Sequence, residues 1–134
     1  MRIWGIEDLR IWPTIVIVAL LQSPTAPKKG GNPEAAKVKN PVAVSPESTA
    51  AGRRVYTRMC GRCHGPDGKG DGTAATAPVA DLTDGTWDYG GSDGEIFSVI
   101  HDGVSTDMDG YAARLSDTDI WNVVNFVRSV AAKP

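Results

Sequence analysis

The chain has 134 residues, of which 14 are Lys or Arg and 16 are Asp or Glu, so its formal net charge at pH 7 is −2. This balance excludes a protein that binds nucleic acid through a basic surface, because such a surface needs clustered basic residues. The charge is unevenly placed: residues 48–134 carry 8 Lys/Arg against 12 Asp/Glu, whereas residues 1–47 carry 6 against 4. Residues 48–134 are therefore expected to form an acidic domain, of a size at which a purely apolar core is marginal.

An apolar segment, Ile11–Leu21, lies near the start of the chain and follows Arg2 and Arg10. Eleven residues suit the hydrophobic region of a signal peptide and are short for a membrane-spanning helix. Pro13 interrupts the segment and no small-x-small cleavage motif follows it, so an uncleaved signal anchor stays open beside a cleaved signal peptide. We interpret residues 1–22 as one of these two, and both place the rest of the chain outside the cytoplasm.

The next segment, residues 23–47, is rich in Pro, Ala and Lys. Such a composition buries too little apolar surface to order itself, so the sequence predicts a flexible linker. If residues 11–21 stay in a membrane, this linker is a tether for the domain at residues 48–134. If a signal peptide is removed, the same segment is a disordered tail.

Three segments have the apolar periodicity of helices. The first is Pro46–Met59. The second begins at Ser92, which can form a capping box with Glu95, and it ends at Gly103. The third begins at Ser116 and carries a stripe of four apolar residues, Ile120, Val123, Val124 and Val127.

The first helix leads into Cys60-Gly61-Arg62-Cys63-His64, which contains both cysteines of the chain. A Cys-x-x-Cys-His run is the attachment signature of c-type haem, in which the two thiols form thioethers and the histidine ligates the iron. A thioredoxin-like dithiol would need a βαβ pattern, and structural zinc would need four ligands, whereas the other histidine, His101, is isolated. The sequence therefore predicts one covalent haem c with its iron, attached to Cys60 and Cys63, with His64 as an axial ligand. Residues 65–91, with nine glycines and prolines, are expected to be loop wrapped around it.

Four motifs extend this pattern along the chain: Gly52-x-x-x-Tyr56-x-x-x-Cys60-x-x-Cys63-His64-Gly65, Pro66-Asp67-Gly68-Lys69-Gly70-Asp71-Gly72, Ala77-Pro78-x-x-Asp81-Leu82-Thr83, and the stretch from Leu115 to Arg128. Together they resemble the class I monohaem cytochrome c family over about residues 46–130. The resemblance implies an all-α, small cytochrome c fold, with three main helices and long loops wrapped around one covalently bound haem. It also implies that the first and last helices cross at Gly52, near Trp121.

Three side chains could supply the sixth iron ligand: Met108, His101 and Met59. The resemblance implies Met108, because the family places its distal methionine in the loop between the second and third helices. The family usually has Met-Pro followed by an aromatic residue. The run Met108-Asp109-Gly110-Tyr111 keeps the aromatic residue but lacks the proline, which predicts a less rigid loop and a weaker iron–sulfur bond. His101 remains the alternative ligand.

The resemblance implies further residues around the haem. The carbonyl of Pro78 is expected to accept the second N–H of His64, as a ligating histidine normally donates to such a group. Tyr111 is the aromatic residue that follows the methionine. Two loop residues, Trp87 and Lys69, could hold the propionates, and the alternative is that they are a packing residue and a solvated charge.

A haem closed by histidine and methionine exchanges single electrons, so the resemblance implies an extracytoplasmic electron carrier and not an enzyme. Two alternatives stay open. One is a haem sensor or weak peroxidase, if Met108 leaves the iron; the other is the electron-accepting subunit of a larger oxidoreductase. The expected partners are redox proteins, with a basic docking face because the domain is acidic, and the apolar segment at residues 11–21 is a possible membrane tether.

Overall fold

The structure, a computed structural model, describes residues 31–131. The predicted signal peptide or anchor at residues 1–22 lies outside this range. The elements are a 3₁₀ helix (Pro33–Lys37), α1 (Pro46–Met59), α2 (Gly61–His64), α3 (Asp93–Asp102) and α4 (Asp117–Val130). All regular elements in the described range are helical, which confirms the all-α prediction. None of these helices is long and apolar enough to cross a membrane.

The three main helices begin where their capping residues predict. Ser92 accepts the backbone N–H of Glu95, whose carboxylate accepts the N–H of Ser92 in return, forming the expected capping box of α3. Ser116 accepts the N–H of Asp119 at the start of α4. Ser45 caps α1 through a reciprocal pair of hydrogen bonds with Ser48.

Helices α1 and α4 cross at Gly52, as the resemblance implied. A Cβ atom at this position would overlap the backbone carbonyl of Asn122, so the crossing requires a glycine. One turn along α1, Tyr56 is only 1% exposed and packs on Phe126 with ring centroids 4.9 Å apart. Helix α3 packs on α4 from another side, and the shared core consists of Val55, Ile96, Ile100, Ile120, Trp121, Val123, Val124 and Val127.

Residues 32–45, which we call the N-terminal strap, differ from the predicted linker because they pack against the helices. Asn32 caps the 3₁₀ helix, and Ala35 in that helix is buried. The 3₁₀ helix lies on α3 at Gly94, where a Cβ atom would overlap the carbonyls of Ala35 and Val38. The structured domain therefore extends toward the N-terminus beyond the predicted boundary at residue 48.

Asn125 on α4 holds the other end of the strap. Its side chain is 2% exposed, and its amide nitrogen donates to the carbonyl of Val42 (3.2 Å) and to the hydroxyl of Ser48 (3.1 Å). The Asn40 amide donates to the Asn125 side-chain oxygen (2.8 Å) and to the Trp121 carbonyl (3.2 Å). These side-chain amides satisfy polar groups that the strap buries, and so order a segment that has little apolar surface.

Candidate haem-binding site

The Cys-x-x-Cys-His run lies at the junction of α1 and α2. Cys60 ends α1, where its N–H donates to the carbonyl of Tyr56 (2.8 Å), and its own carbonyl accepts the N–H groups of Cys63 (3.1 Å) and His64 (2.9 Å). This single helical turn directs all three side chains into one cavity. Both cysteines are free thiols.

The loop that follows wraps closely around α2. The N–H groups of Gly70, Gly72 and Ala74 donate to the carbonyls of His64 (2.9 Å), Cys63 (3.1 Å) and Arg62 (2.9 Å), respectively. These bonds satisfy the carbonyls that the end of a helix leaves without partners. A Cβ at Gly72 would overlap the Arg62 and Cys63 carbonyls, so the approach requires glycine.

The cavity has a volume of about 450 Å³. This lies within the range of about 300–1,000 Å³ for small-molecule and cofactor sites. Apolar side chains form most of its wall, including Leu82, Trp87, Ile96, Val99, Ile100, Val104, Val123 and Val127. The wall also holds two thiols, one imidazole and two thioethers, from Cys60, Cys63, His64, Met59 and Met108. This donor set fits haem c, because two thiols can form its thioethers and the imidazole and one methionine thioether can ligate its iron.

The imidazole of His64 is oriented through its Nδ1 atom. Nδ1 lies 3.4 Å from the carbonyl oxygen of Ala80, so the Nδ1–H donates to this oxygen and leaves Nε2 free to bind a metal. Burial lowers the pKa of His64, which favours the neutral, ligating form. The expected acceptor, the carbonyl of Pro78, is not the one that the structure shows, although Pro78 lines the cavity. The Leu82 N–H donates to the carbonyl of Gly68 (2.7 Å), which draws the chain around Ala80 toward α2.

Burial, with the neighbouring Cys63, raises the pKa of the Cys60 thiol to about 11. The Cys60 thiol is therefore protonated at neutral pH.

Met108 lies in the loop between α3 and α4, where its side chain lines the cavity and packs against the core. Gly103 and Asp109 form an antiparallel bridge across the base of this loop, and the Val104 N–H donates to the Met108 carbonyl (3.1 Å). The loop lacks the proline of the family pattern, as noted above, but backbone hydrogen bonds close it.

Of the two other candidates for the sixth ligand, Met59 lines the cavity and His101 does not. The ring of His101 stacks on Phe97 with centroids 5.3 Å apart, and its Nδ1 lies 2.7 Å from the Asp102 carboxylate. The Met59 backbone carbonyl accepts a hydrogen bond from the Tyr111 hydroxyl (3.1 Å).

The other residues predicted to lie around the haem also divide into those that line the cavity and those that do not. Trp87 and Tyr111 line the cavity, but Lys69 is exposed and does not.

Sequence reasoning missed two residues of the cavity wall. The carbonyl of Ala80 faces Nδ1 of His64, and the hydroxyl of Ser105 accepts the backbone N–H groups of Asp107 and Met108. A Ser-x-x-Met spacing, in which a serine hydroxyl can bond backbone N–H groups two and three residues later, is a signal that could have identified Ser105.

Comparisons with known proteins agree with this site. The family model described as cytochrome c oxidase, cbb3-type, subunit III matches residues 47–127. The cbb3-type cytochrome c oxidase subunit CcoP of Rubrivivax gelatinosus is 31% identical over 94 residues, which cover 69% of this chain and 29% of that protein. The FixP subunit of Azorhizobium caulinodans is 33% identical over 79 residues, 59% of this chain and 26% of that protein. The chain thus spans less than a third of the length of these relatives.

Two solved structures share the fold. Cytochrome cL of Methylophaga aminisulfidivorans superposes with a TM-score of 0.58 at 25% identity, over 65% of this chain and 55% of that one. Cytochrome c6 of the diatom Phaeodactylum tricornutum gives 0.53 at 26% identity, over 62% and 93%. The fold and the site define a c-type cytochrome domain that carries electrons and has one covalent haem c, with its iron, as cofactor.

Within that class, the family model covers more than half of the chain. The chain therefore belongs to the family of cbb3-type cytochrome c oxidase subunit III. The resemblance to class I cytochromes, drawn from the sequence motifs, is confirmed. Both relatives are described as subunits of a cytochrome c oxidase.

Proposed function

We propose that this chain is an extracytoplasmic one-electron carrier, not an enzyme, with His64 and Met108 as the two axial ligands of the haem iron. Of the two thioethers in the cavity wall, that of Met59 directly precedes Cys60 at the end of α1. The observation that carries the proposal is that the imidazole of His64 and the thioether of Met108 line the same cavity. They come from segments 44 residues apart, each fixed by its own hydrogen bonds. When bound, the haem supplies a reversible one-electron iron couple.

The side chains of the cavity then have distinct roles. Cys60 and Cys63 hold the cofactor covalently, and His64 ligates through Nε2 while Nδ1–H donates to Ala80. Met108 offers a soft sulfur ligand, which stabilises ferrous iron and raises the reduction potential. The apolar wall excludes water and so further disfavours the additional charge of the ferric state. With His64 and Met108 both ligating, the iron would offer no open site for oxygen or peroxide.

Two of the predicted haem neighbours keep a role in this proposal. Trp87 in the cavity wall is suited to donate its indole N–H to a propionate, and Pro78 shapes the wall beside His64. Lys69 is left out, because its exposed side chain lies away from the cavity.

The relatives support a more specific form of the proposal, in which the domain passes electrons inside a larger oxidoreductase. Both relatives described above are subunits of a cbb3-type cytochrome c oxidase. Blue-native electrophoresis of gently solubilised membranes, stained for haem, tests this form. Haem in a complex far larger than the 14.2 kDa chain would support a subunit, and haem only at the monomer position would contradict it.

The test of the ligand set is the absorption spectrum of the holoprotein, oxidised and reduced, with and without carbon monoxide. The wild type should show a low-spin thioether-haem spectrum with a methionine–iron charge-transfer band, and should not bind carbon monoxide. Met108→Ala should abolish the band and admit carbon monoxide.

Met59→Ala is the matched control, because Met59 also lines the cavity. It should keep the band. A band lost in Met59→Ala but kept in Met108→Ala would overturn the ligand assignment. Ready carbon monoxide binding by the wild type would favour the sensor or peroxidase alternative.

Location is tested on the same expressed protein. Haem recovered only with the extracytoplasmic fraction would support export. The intact mass of the purified chain then separates a cleaved signal peptide from an uncleaved anchor at residues 1–22.

A further inference from the structure

We infer that Ser105 is a positioning residue for the sixth iron ligand, which its hydroxyl holds toward the cavity by fixing the Met108 backbone. The inference rests on the proposed ligation by Met108. Ser105 is half-buried and lies in the cavity wall, three residues before the methionine.

The Ser105 hydroxyl accepts two backbone N–H groups of the turn that ends at Met108. Its oxygen accepts the backbone N–H of Asp107 and that of Met108, each at 3.2 Å. The Met108 carbonyl in turn accepts the N–H of Val104 at 3.1 Å and that of Ser105 at 3.5 Å. The N–H and the carbonyl of Met108 are thus both bonded to residues 104 and 105 across the loop. With the backbone held in this way, the Met108 side chain lines the cavity.

The rest of the loop does not make these contacts redundant. The Gly103–Asp109 bridge closes its base, and beyond it the Tyr111 N–H donates to the Ile100 carbonyl (2.9 Å). These bonds fix the two ends, whereas the segment between residues 104 and 108 is fixed by the serine hydroxyl and the Met108 carbonyl. A proline after the methionine would restrict the backbone dihedral angles at this point. In this chain Asp109 follows Met108, and the Ser105 hydroxyl supplies the restriction instead.

Loss of the hydroxyl should therefore raise the fraction of molecules in which the loop is open and the thioether has left the iron. An external ligand that competes for the sixth position binds only this open fraction. Its apparent dissociation constant is the intrinsic constant divided by the open fraction, so the constant falls as the fraction rises.

The experiment is a titration of the ferric holoprotein with imidazole, followed by the loss of the methionine–iron charge-transfer band. Ser105→Ala should bind imidazole about 3- to 10-fold more tightly than the wild type, equivalent to about 0.7–1.4 kcal/mol at 1.4 kcal/mol per tenfold change. Ser105→Thr, which keeps the hydroxyl, should restore the wild-type constant. Thr106→Ala removes an exposed hydroxyl from the same loop and should also leave the constant within twofold of the wild type.

A constant for Ser105→Ala within twofold of that for Thr106→Ala would overturn the inference and leave Met108 ligation intact. If Ser105→Ala does not fold, Ser105→Val is compared with Ser105→Thr, because valine has the shape of threonine and lacks only the hydroxyl, and the same criterion applies. A wild-type band that Met108→Ala does not remove would instead overturn the ligation, and the inference with it. A lower denaturation midpoint for Ser105→Ala with an unchanged imidazole constant would show a structural role only, and also overturns the inference.

Discussion

At the scale of single residues, Gly52 gives a sharp test of the fold. A methyl group at this position would overlap the Asn122 carbonyl, which belongs to the backbone and cannot rotate away. Gly52→Ala should therefore lower the free energy of unfolding by about 1–3 kcal/mol, the usual cost of overpacking. This cost outweighs the gain of about 1 kcal/mol that alanine normally brings to a helix interior. Urea unfolding of the holoprotein measures the change.

Gly61→Ala is the matched control for that substitution. A Cβ at Gly61 would have its nearest neighbours in Tyr56 at 3.6 and 3.7 Å, which is ordinary van der Waals contact. This variant should unfold within about 0.5 kcal/mol of the wild type or be slightly more stable. Equal losses at the two positions would contradict the close crossing of α1 and α4.

The hydrogen bonds of Glu95 should make the free energy of unfolding depend on pH. The backbone N–H (2.9 Å) and the hydroxyl (2.7 Å) of Ser92 donate to its carboxylate, and these bonds lower the pKa of Glu95. Because the folded pKa lies below the unfolded one, the stabilising contribution is present above the unfolded pKa of about 4.3 and is lost as the pH falls through the folded pKa. The unfolding free energy of Glu95→Gln should fall less steeply between about pH 5 and pH 3 than that of the wild type. Urea midpoints across this range test the prediction, and parallel curves would contradict it.

At the scale of elements, the N-terminal strap depends on one buried side chain of α4. Asn125→Ala removes the donor to Val42 and Ser48 and the acceptor of Asn40, so buried polar groups lose their partners. The expected loss is about 1–3 kcal/mol of unfolding free energy. Limited proteolysis should also cut residues 32–45 faster.

Asn122→Ala provides the control on the same helix. Asn122 is only half-buried, and its contact with Gly52 is made by its backbone, which the substitution keeps. This variant should be close to the wild type in stability and in proteolysis of the strap. If both asparagine variants expose the strap equally, the proposed role of the Asn125 side chain is wrong.

The helices and the strap show where sequence-based prediction succeeded and failed. The starts of α3 and α4 were predicted because Ser92 and Ser116 bond to residues only three positions away. The strap was predicted as linker because its composition is that of a disordered segment. What orders it is a set of long-range contacts, such as that between Asn40 and Asn125, which are 85 residues apart. No local pattern encodes such a pair.

At the haem-binding site, too, the contiguous motif was predicted and the long-range contact was not. The Cys-x-x-Cys-His run is contiguous, so the cofactor could be predicted from five residues. The acceptor for His64 depends instead on how the loop folds back on α2, and the carbonyl that meets Nδ1 belongs to Ala80 and not to Pro78. Backbone acceptors carry no sequence signal, because every residue has a carbonyl group.

At the scale of the whole molecule, the cavity makes the haem a part of the core. The opening of about 450 Å³ is lined mostly by apolar side chains, and without the haem these side chains would lack packing partners and would face water. The double variant Cys60→Ala/Cys63→Ala should therefore lose covalent haem, its near-UV circular dichroism and its cooperative urea transition. Cys60→Ala alone keeps one thioether and should fold with intermediate stability. A cooperative transition at the wild-type midpoint in the double variant would contradict this view.

The strap also changes how far the domain can travel, under the proposal that Ile11–Leu21 is a membrane tether. With residues 32–45 packed on the helices, ten residues (22–31) separate the apolar segment from the folded domain, in place of the 26 of the predicted linker and its preceding residue. At about 3.5 Å per residue, the greatest extension falls from about 90 Å to about 35 Å. The volume that the domain can sweep shrinks by roughly 17-fold, and the local concentration of a neighbour fixed in the same membrane rises in proportion. Such a short radius suits repeated electron exchange with one adjacent protein and prevents shuttling between distant ones.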